Sequence, residues 1–321
     1  MGFPRPRAVD YATQIALNVL SLAATVEQAP PMDLIARLNL EPVEPAFSPV
    51  ETISGSLSAG ALLVCDHASN AIPSRYGSLG LPREALERHI AYDIGAADLT
   101  RALAARLGAP AALSTFSRLL IDPNRGADDP TLVMRYSDGA IVPGNARADD
   151  MEIVRRRELF WTPYRDKVAA LAEAMIAAGE PPAILSIHSF TPVWRGAARP
   201  WKAGVLWDRD RRIARPLIEA LKAEPDLRPD EIGDNDPYDG ALAGDTVDAI
   251  ATARGLANAL IEIRQDLIAE REGALAWAER LGRLLEPILA EREARLPRDF
   301  GSRARGRPAA EATASARDPR G

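Results

Sequence analysis

The sequence predicts an α/β fold, a mixed, largely parallel sheet flanked by helices on both faces. Three observations carry this. Short apolar runs bounded by turn residues recur along the chain, as buried strands do. Segments of helical period alternate with them, the order that lays helices over a sheet. Two of the runs, LLVCDHASN at 62–70 and ILSIHSF at 184–190, close on a histidine. Both histidines then sit at the carboxyl edge of strands, where open α/β sheets bind ligands.

The elements follow in order. Residues 9–26 read as an amphipathic surface helix. Arg5 and Arg7 precede them as in a signal peptide, but Asp10, Gln14 and Asn18 interrupt the apolar stretch and the cleavage site is poor. Residues 28–60 are rich in Pro, Ser and Gly and form a connecting arm with a short helix at 32–38. A strand covers 61–65. Pro82 opens a helix to about His89, and a strongly apolar helix fills 94–107, stopped by Gly108. Strands follow at 111–114 and at 118–121, the second broken by Asp122 and Pro123. The polar loop 122–150 is long enough to be functional. One long helix spans 152–179, kinked at Pro163. Strands at 183–187 and 204–207, a helix at 212–223, a turn-rich loop DNDPYDG at 234–240, a strand at 256–263 and a helix at 274–295 complete the domain. From Pro297 the composition turns to Arg, Ala, Pro and Gly, which predicts disorder. The expected division is an N-terminal helix and arm over 1–55, a single α/β domain over 56–297 and a disordered tail over 298–321.

Bulk composition bounds the function. A chain of 321 residues with 47% hydrophobic content buries a real core. Net charge −6 argues against a general nucleic-acid or anionic-membrane surface. No apolar run is long enough to span a bilayer. The one cysteine, Cys65, excludes an internal disulfide and any multi-cysteine zinc site. No phosphate-binding glycine loop is present, because Gly77, Gly80 and Gly95 lack the spacing.

The chain has three histidines. His67 and His188 share one local setting and suit one metal. The bland alternative is a helix cap and a satisfied core histidine. A third ligand is needed. Asp66 adjoins His67, but neighbours on an extended chain point apart. Asn70 is within reach but is a poor zinc ligand. Asp93 is the best carboxylate, although an N-cap is an ordinary role for it. SRLLIDPNRG gathers Arg118, Asp122, Asn124 and Arg125, either a carboxylate clamp or a solvated turn. Glu262 lies in an apolar strand with Arg264 on the same face, so it must be paired or useful. His89 follows Arg88 in a helix and is expected at the surface.

Taken together, CDHASNAIP, YDIGAADL, SRLLIDPNR, SIHSF, GDNDPYDG and IEIRQDLI resemble the N-formylglutamate amidohydrolase family, from about Leu62 to Leu267. The resemblance implies a phosphorylase/hydrolase-like fold similar to zinc carboxypeptidases. It implies one Zn2+ per chain held by His67, Asp93 and His188, with Glu262 serving the water and Arg118 aiding catalysis. It implies a substrate clamp of Asn124 and Arg125, with Ser69, Asn70, Asn235, Tyr238 and Arg264 also binding substrate. Two departures stand out. Zinc carboxypeptidases have a glutamate where Asn70 stands, and residues 249–254 lack a histidine found in many relatives.

The implied activity is metal-dependent hydrolysis of a small N-acyl acidic amino acid, N-formyl-L-glutamate first. The alternatives are a peptidase or deacylase on another N-acyl substrate and a non-catalytic ligand-binding member of the fold. The expected partner is a small anionic molecule, with neither nucleic acid nor membrane. The chain is expected in the cytoplasm, as a monomer or dimer.

Overall fold

The computed structural model of the chain describes residues 47–304. The chain divides into two units, Met1–Val43 and Glu44–Gly321. The helices expected at 9–26 and 32–38 lie outside the described residues.

Among the described residues, seven strands form one sheet: β1 (Val50–Ile53), β2 (Ala61–Cys65), β3 (Ala111–Ser114), β4 (Ala183–Phe190), β5 (Ala203–Leu206), β6 (Ile232–Asp234) and β7 (Asn258–Arg264). Their spatial order is β1-β3-β2-β4-β7-β5-β6. The four central strands β3, β2, β4 and β7 are mutually parallel, so their carboxyl ends share one edge. β1 runs antiparallel to β3, and β5 antiparallel to β7.

Alternation along the strands decides which helices cover which face. Ala61, Leu63 and Cys65 of β2, Leu185 and Ile187 of β4, and Ile261 and Ile263 of β7 join one apolar cluster. That cluster also takes Leu99 and Leu103 from α1 (Ala96–Leu107), Leu217 and Leu221 from Ala214–Lys222, and Trp277, Leu281 and Leu285 from Arg271–Ala290. Gly108 ends α1 in the left-handed conformation and its N–H bonds back to Ala104. The opposite face carries the long helix, which is Asp150–Arg156, a π turn at Arg157–Trp161, and Thr162–Ala177. Asp149 caps its start by accepting from the Glu152 N–H at 2.8 Å. Pro163 is the second residue after the π turn, whose altered bonding pattern accommodates its missing N–H.

Several sequence expectations change. Residues 118–121 are not a strand: Leu120 N–H bonds to Ser117 O at 2.9 Å, so this buried run is a turn. A run of four apolar residues does not distinguish the two. β4 continues to Phe190, so His188 lies inside the strand rather than at its end. The helix expected over 82–89 is the single turn Arg83–Leu86. β1 falls within the expected arm, and β6 covers two unassigned residues and the first residue of the expected loop 234–240. In the expected tail, Arg303 pairs with Asp208 and Asp239; residues 305–321 lie outside the described region. No helix among the described residues is long and apolar enough to cross a membrane.

Candidate active site

The parallel strands deliver the site residues to one edge. β2 ends at Cys65, and the chain turns just beyond it. Ser114, at the end of β3, fixes that turn by donating to Asp66 O at 2.6 Å and accepting from Ala68 N–H. His67 follows, and its carbonyl accepts the Asp93 N–H at 2.9 Å. The Asp93 turn is therefore tied directly to His67. Gly95 makes the turn possible. Its φ is +80°, and a Cβ there would lie 2.1 Å from the Ile268 carbonyl oxygen. The Asp93 side chain caps no helix. On β4 and β7, Glu262 stands in register beside His188.

His67, Asp93 and His188 are buried, with one donor atom of each within 4.8 Å of the others. Both imidazoles face one oxygen: Asp93 Oδ2 is 2.8 Å from His188 Nδ1 and 3.4 Å from His67 Nδ1. The far nitrogen of each ring meets a second buried carboxylate. His67 Nε2 lies 2.7 Å from Asp122 Oδ1, and His188 Nε2 lies 3.3 Å from Asp66 Oδ2. Asp66 is itself held by Thr246 at 2.5 Å and Ser186 at 3.0 Å, both donating hydroxyls. Arg118 donates to Asp93 Oδ1 at 3.1 Å and to Asp122 Oδ2 at 3.2 Å. Glu262 Oε2 is buried and makes no hydrogen bond.

This arrangement fits a divalent cation. Two nitrogens and one carboxylate oxygen converge, a donor set that could hold a metal ion with a position left open. Each ring's other nitrogen is oriented by a carboxylate, as metal-bound histidines require. Four buried carboxylates, Asp66, Asp93, Asp122 and Glu262, surround one guanidinium and two imidazoles. The unpartnered Glu262 oxygen marks where further chemistry belongs.

The electrostatics agree. Burial opposes ionisation of Asp93, but the charges and hydrogen bonds of His67 and His188 hold it well below the usual carboxylate range. Burial likewise opposes Asp122, and His67 and Arg118 outweigh it. Burial lowers His188, but its bonds to Asp66 and Asp93 push it up to about 10. Glu262 goes the other way: burial, aided by the Asp93 charge, pushes it up to about 7.

A cavity of about 320 Å³ opens onto this cluster. Of the residues expected to bind substrate, Asn124, Arg125 and Tyr238 line it; Ser69, Asn70, Asn235 and Arg264 do not. Asn70 turns away to donate to Leu86 O at 2.9 Å. Ser69 accepts from Ala71 N–H. Asn235 holds its own loop, accepting from the Trp207 and Gly240 N–H groups. Arg264 pairs with Asp266 and the Trp201 carbonyl. His89, expected at the surface, lines the cavity and stacks edge-on with Trp194. Asp66 was weighed as a metal ligand and set aside, and its place behind His188 was not foreseen; Ser186 and Thr246 were missed as site residues. The only sequence signal for Asp66 is its adjacency to His67, and Ser186 and Thr246 gave none.

No curated protein matches the chain. Among solved structures, gene product Atu2144 of Agrobacterium tumefaciens is similar at 34% identity and a TM-score of 0.72, covering 77% of this chain and 97% of its own. The N-formylglutamate amidohydrolase of Ralstonia eutropha JMP134 shares the fold at 19% identity and a TM-score of 0.54, covering 77% of this chain and 99% of its own. The family model of N-formylglutamate amidohydrolase matches residues 59–269, which include β2, β7 and the whole cluster between them. The chain therefore belongs to the N-formylglutamate amidohydrolase family.

Proposed function

We propose that this chain is a zinc-dependent amidohydrolase that cleaves N-formyl-L-glutamate to formate and glutamate. The observation that carries the reading is the convergence of two imidazole Nδ1 atoms on Asp93 Oδ2 beside the unpartnered Glu262 carboxylate. His67, Asp93 and His188 would hold the ion. When bound, zinc supplies Lewis acidity, which polarises the scissile carbonyl and lowers the pKa of the attacking water to about 7.

The remaining work falls to the protein. Glu262 accepts the proton of the attacking water and returns it to the leaving amine nitrogen. Burial raises the Glu262 carboxyl above the usual range in the metal-free protein, which makes it a better proton acceptor than an exposed glutamate. Arg118 keeps protons on Nη1 and Nη2 beyond those given to Asp93 and Asp122, and these stabilise charge developing on the acyl oxygen. Arg125 lines the cavity and has no carboxylate partner among the described residues; its side chain donates to Thr131 Oγ1 and the Asn124 carbonyl. It is free to take a substrate carboxylate bidentately. Asn124 fixes the clamp: its N–H donates to Asp122 Oδ1 and its Oδ1 accepts the Thr246 N–H. We place the activity in the cytoplasm, where the lone buried thiol of Cys65 stays reduced.

The test is turnover of a panel of N-formyl-L-glutamate, other N-acyl amino acids and small peptides by the zinc-loaded protein. Formate release from N-formyl-L-glutamate above the rest supports the reading. Turnover of peptides alone would replace it with a peptidase, and binding without turnover with a ligand-binding role.

A further inference from the structure

Arg199 is a buried cation that the chemistry above leaves unused. It lies between the short hairpin 193–198 and β5, and is only 8% exposed. No carboxylate among the described residues lies within ion-pairing distance of it. Three aromatic rings surround it instead, with centroids 4.9 Å (Tyr238), 5.3 Å (Trp194) and 5.6 Å (Phe190) from the guanidinium carbon. A buried charge without a counter-charge is unfavourable, and an anionic ligand would supply one. Two of the rings, Trp194 and Tyr238, line the catalytic cavity.

The connection runs through one hydrogen bond. Arg199 Nη1 donates to the Tyr238 hydroxyl oxygen at 3.0 Å, and to the Thr191 carbonyl at 3.4 Å. Because the Tyr238 oxygen accepts from Arg199, its own hydrogen is directed elsewhere. The hydroxyl stays protonated: the ring is partly exposed, but desolvation around its oxygen and the nearby Glu262 carboxylate raise it against the opposing pull of Arg199. A phenol that accepts from a cation is a stronger donor. The pair is thus a donor backed by positive charge, facing a cavity that Arg125 also lines.

We propose that Arg199, acting through Tyr238, is the positioning residue of a second carboxylate-recognition point in the cleft, so that the substrate is a dicarboxylate read by Arg125 at one end and by the Arg199–Tyr238 pair at the other. This rests on the proposed substrate and deepens it.

The experiment compares N-formyl-L-glutamate with its side-chain amide and its α-amide, each lacking one carboxylate. The proteins are wild type, Arg199→Met, Arg199→Lys, Tyr238→Phe and Arg125→Met, all zinc-loaded. Wild type discriminates against both amides in kcat/KM by on the order of 10- to 100-fold, the worth of one charge-assisted hydrogen bond. Arg199→Met and Tyr238→Phe abolish discrimination against one and the same amide; Arg125→Met abolishes it against the other. Arg199→Lys retains most of it. A merely structural Arg199 would lower the rates on all three compounds together and leave the ratios unchanged, which would overturn the proposal. So would Arg199→Met and Arg125→Met erasing discrimination against the same amide. If none of the compounds is hydrolysed, the proposed activity fails on its own. Calorimetric binding of L-glutamate, L-glutamine and L-isoglutamine to the same variants then decides the inference by the same pattern.

Discussion

Replacing Glu262 by Gln separates catalysis from stability, because the two move in opposite directions. Gln keeps the shape of the side chain and removes the proton acceptor. The rate on N-formyl-L-glutamate should fall by on the order of 10² to 10⁴, as for loss of a positioned base. KM and metal content should barely change, since the effect acts in the transition state. Stability should rise. Burial pushes the Glu262 carboxyl up from its ordinary 4.5 to about 7 in the folded, metal-free protein. Between these values the folded state binds more protons than the unfolded one, so stability falls as pH rises from about 4.5 to about 7 and stays low above it. At 1.36 kcal/mol per pH unit the penalty is roughly 3 kcal/mol. Glu262→Gln removes it. Urea unfolding of the metal-free variant should show a gain of that order at pH 8 and none at pH 4. A variant less stable than wild type at pH 8 would instead mark Glu262 as half of a structural ion pair and overturn its role as base. A folded, metal-loaded variant that turns over near the wild-type rate would overturn it equally.

Asp93→Asn should weaken metal affinity at least tenfold by chelator competition; unchanged affinity would return Asp93 to a structural role. Asp66→Asn leaves all three metal donors in place but loosens the orientation of His188, so affinity should fall about 10- to 100-fold, read by the same competition. Metal affinity should climb with pH, because His188 holds a proton up to about 10 and the ion must displace it. Chelator competition at three pH values checks the slope, and calorimetry in buffers of different ionisation enthalpy counts the proton released. Arg125→Met should raise KM with little change in kcat, since it removes binding common to ground and transition states.

Much of the central sheet was legible because its buried strands are short apolar runs with turn residues at their ends. The same signal failed at 118–121, where the run is buried as a turn. β1, whose residues VETI include an exposed threonine, and the three-residue β6 carry too little pattern to be read. The histidines and Glu262 stood out by scarcity and by polarity within apolar strands. Asp66 and Asp122 did not, because their role depends on which nitrogen of a distant ring they meet. Ser69 and Asn70 entered the expected site through the family resemblance, yet the turn after β2 sends their side chains elsewhere. Arg199 gave no sequence signal at all; its significance lies in three rings that come together only in the fold.

Hydrolysis is proposed to depend on an ion held by His67, Asp93 and His188. The most direct measurement titrates zinc into metal-stripped protein while following formate release from N-formyl-L-glutamate. Activity should rise linearly with bound metal and saturate at one ion per chain, with no rise in a folded His188→Ala variant. Full turnover by stripped protein, or saturation of the metal site without any formate, would contradict it.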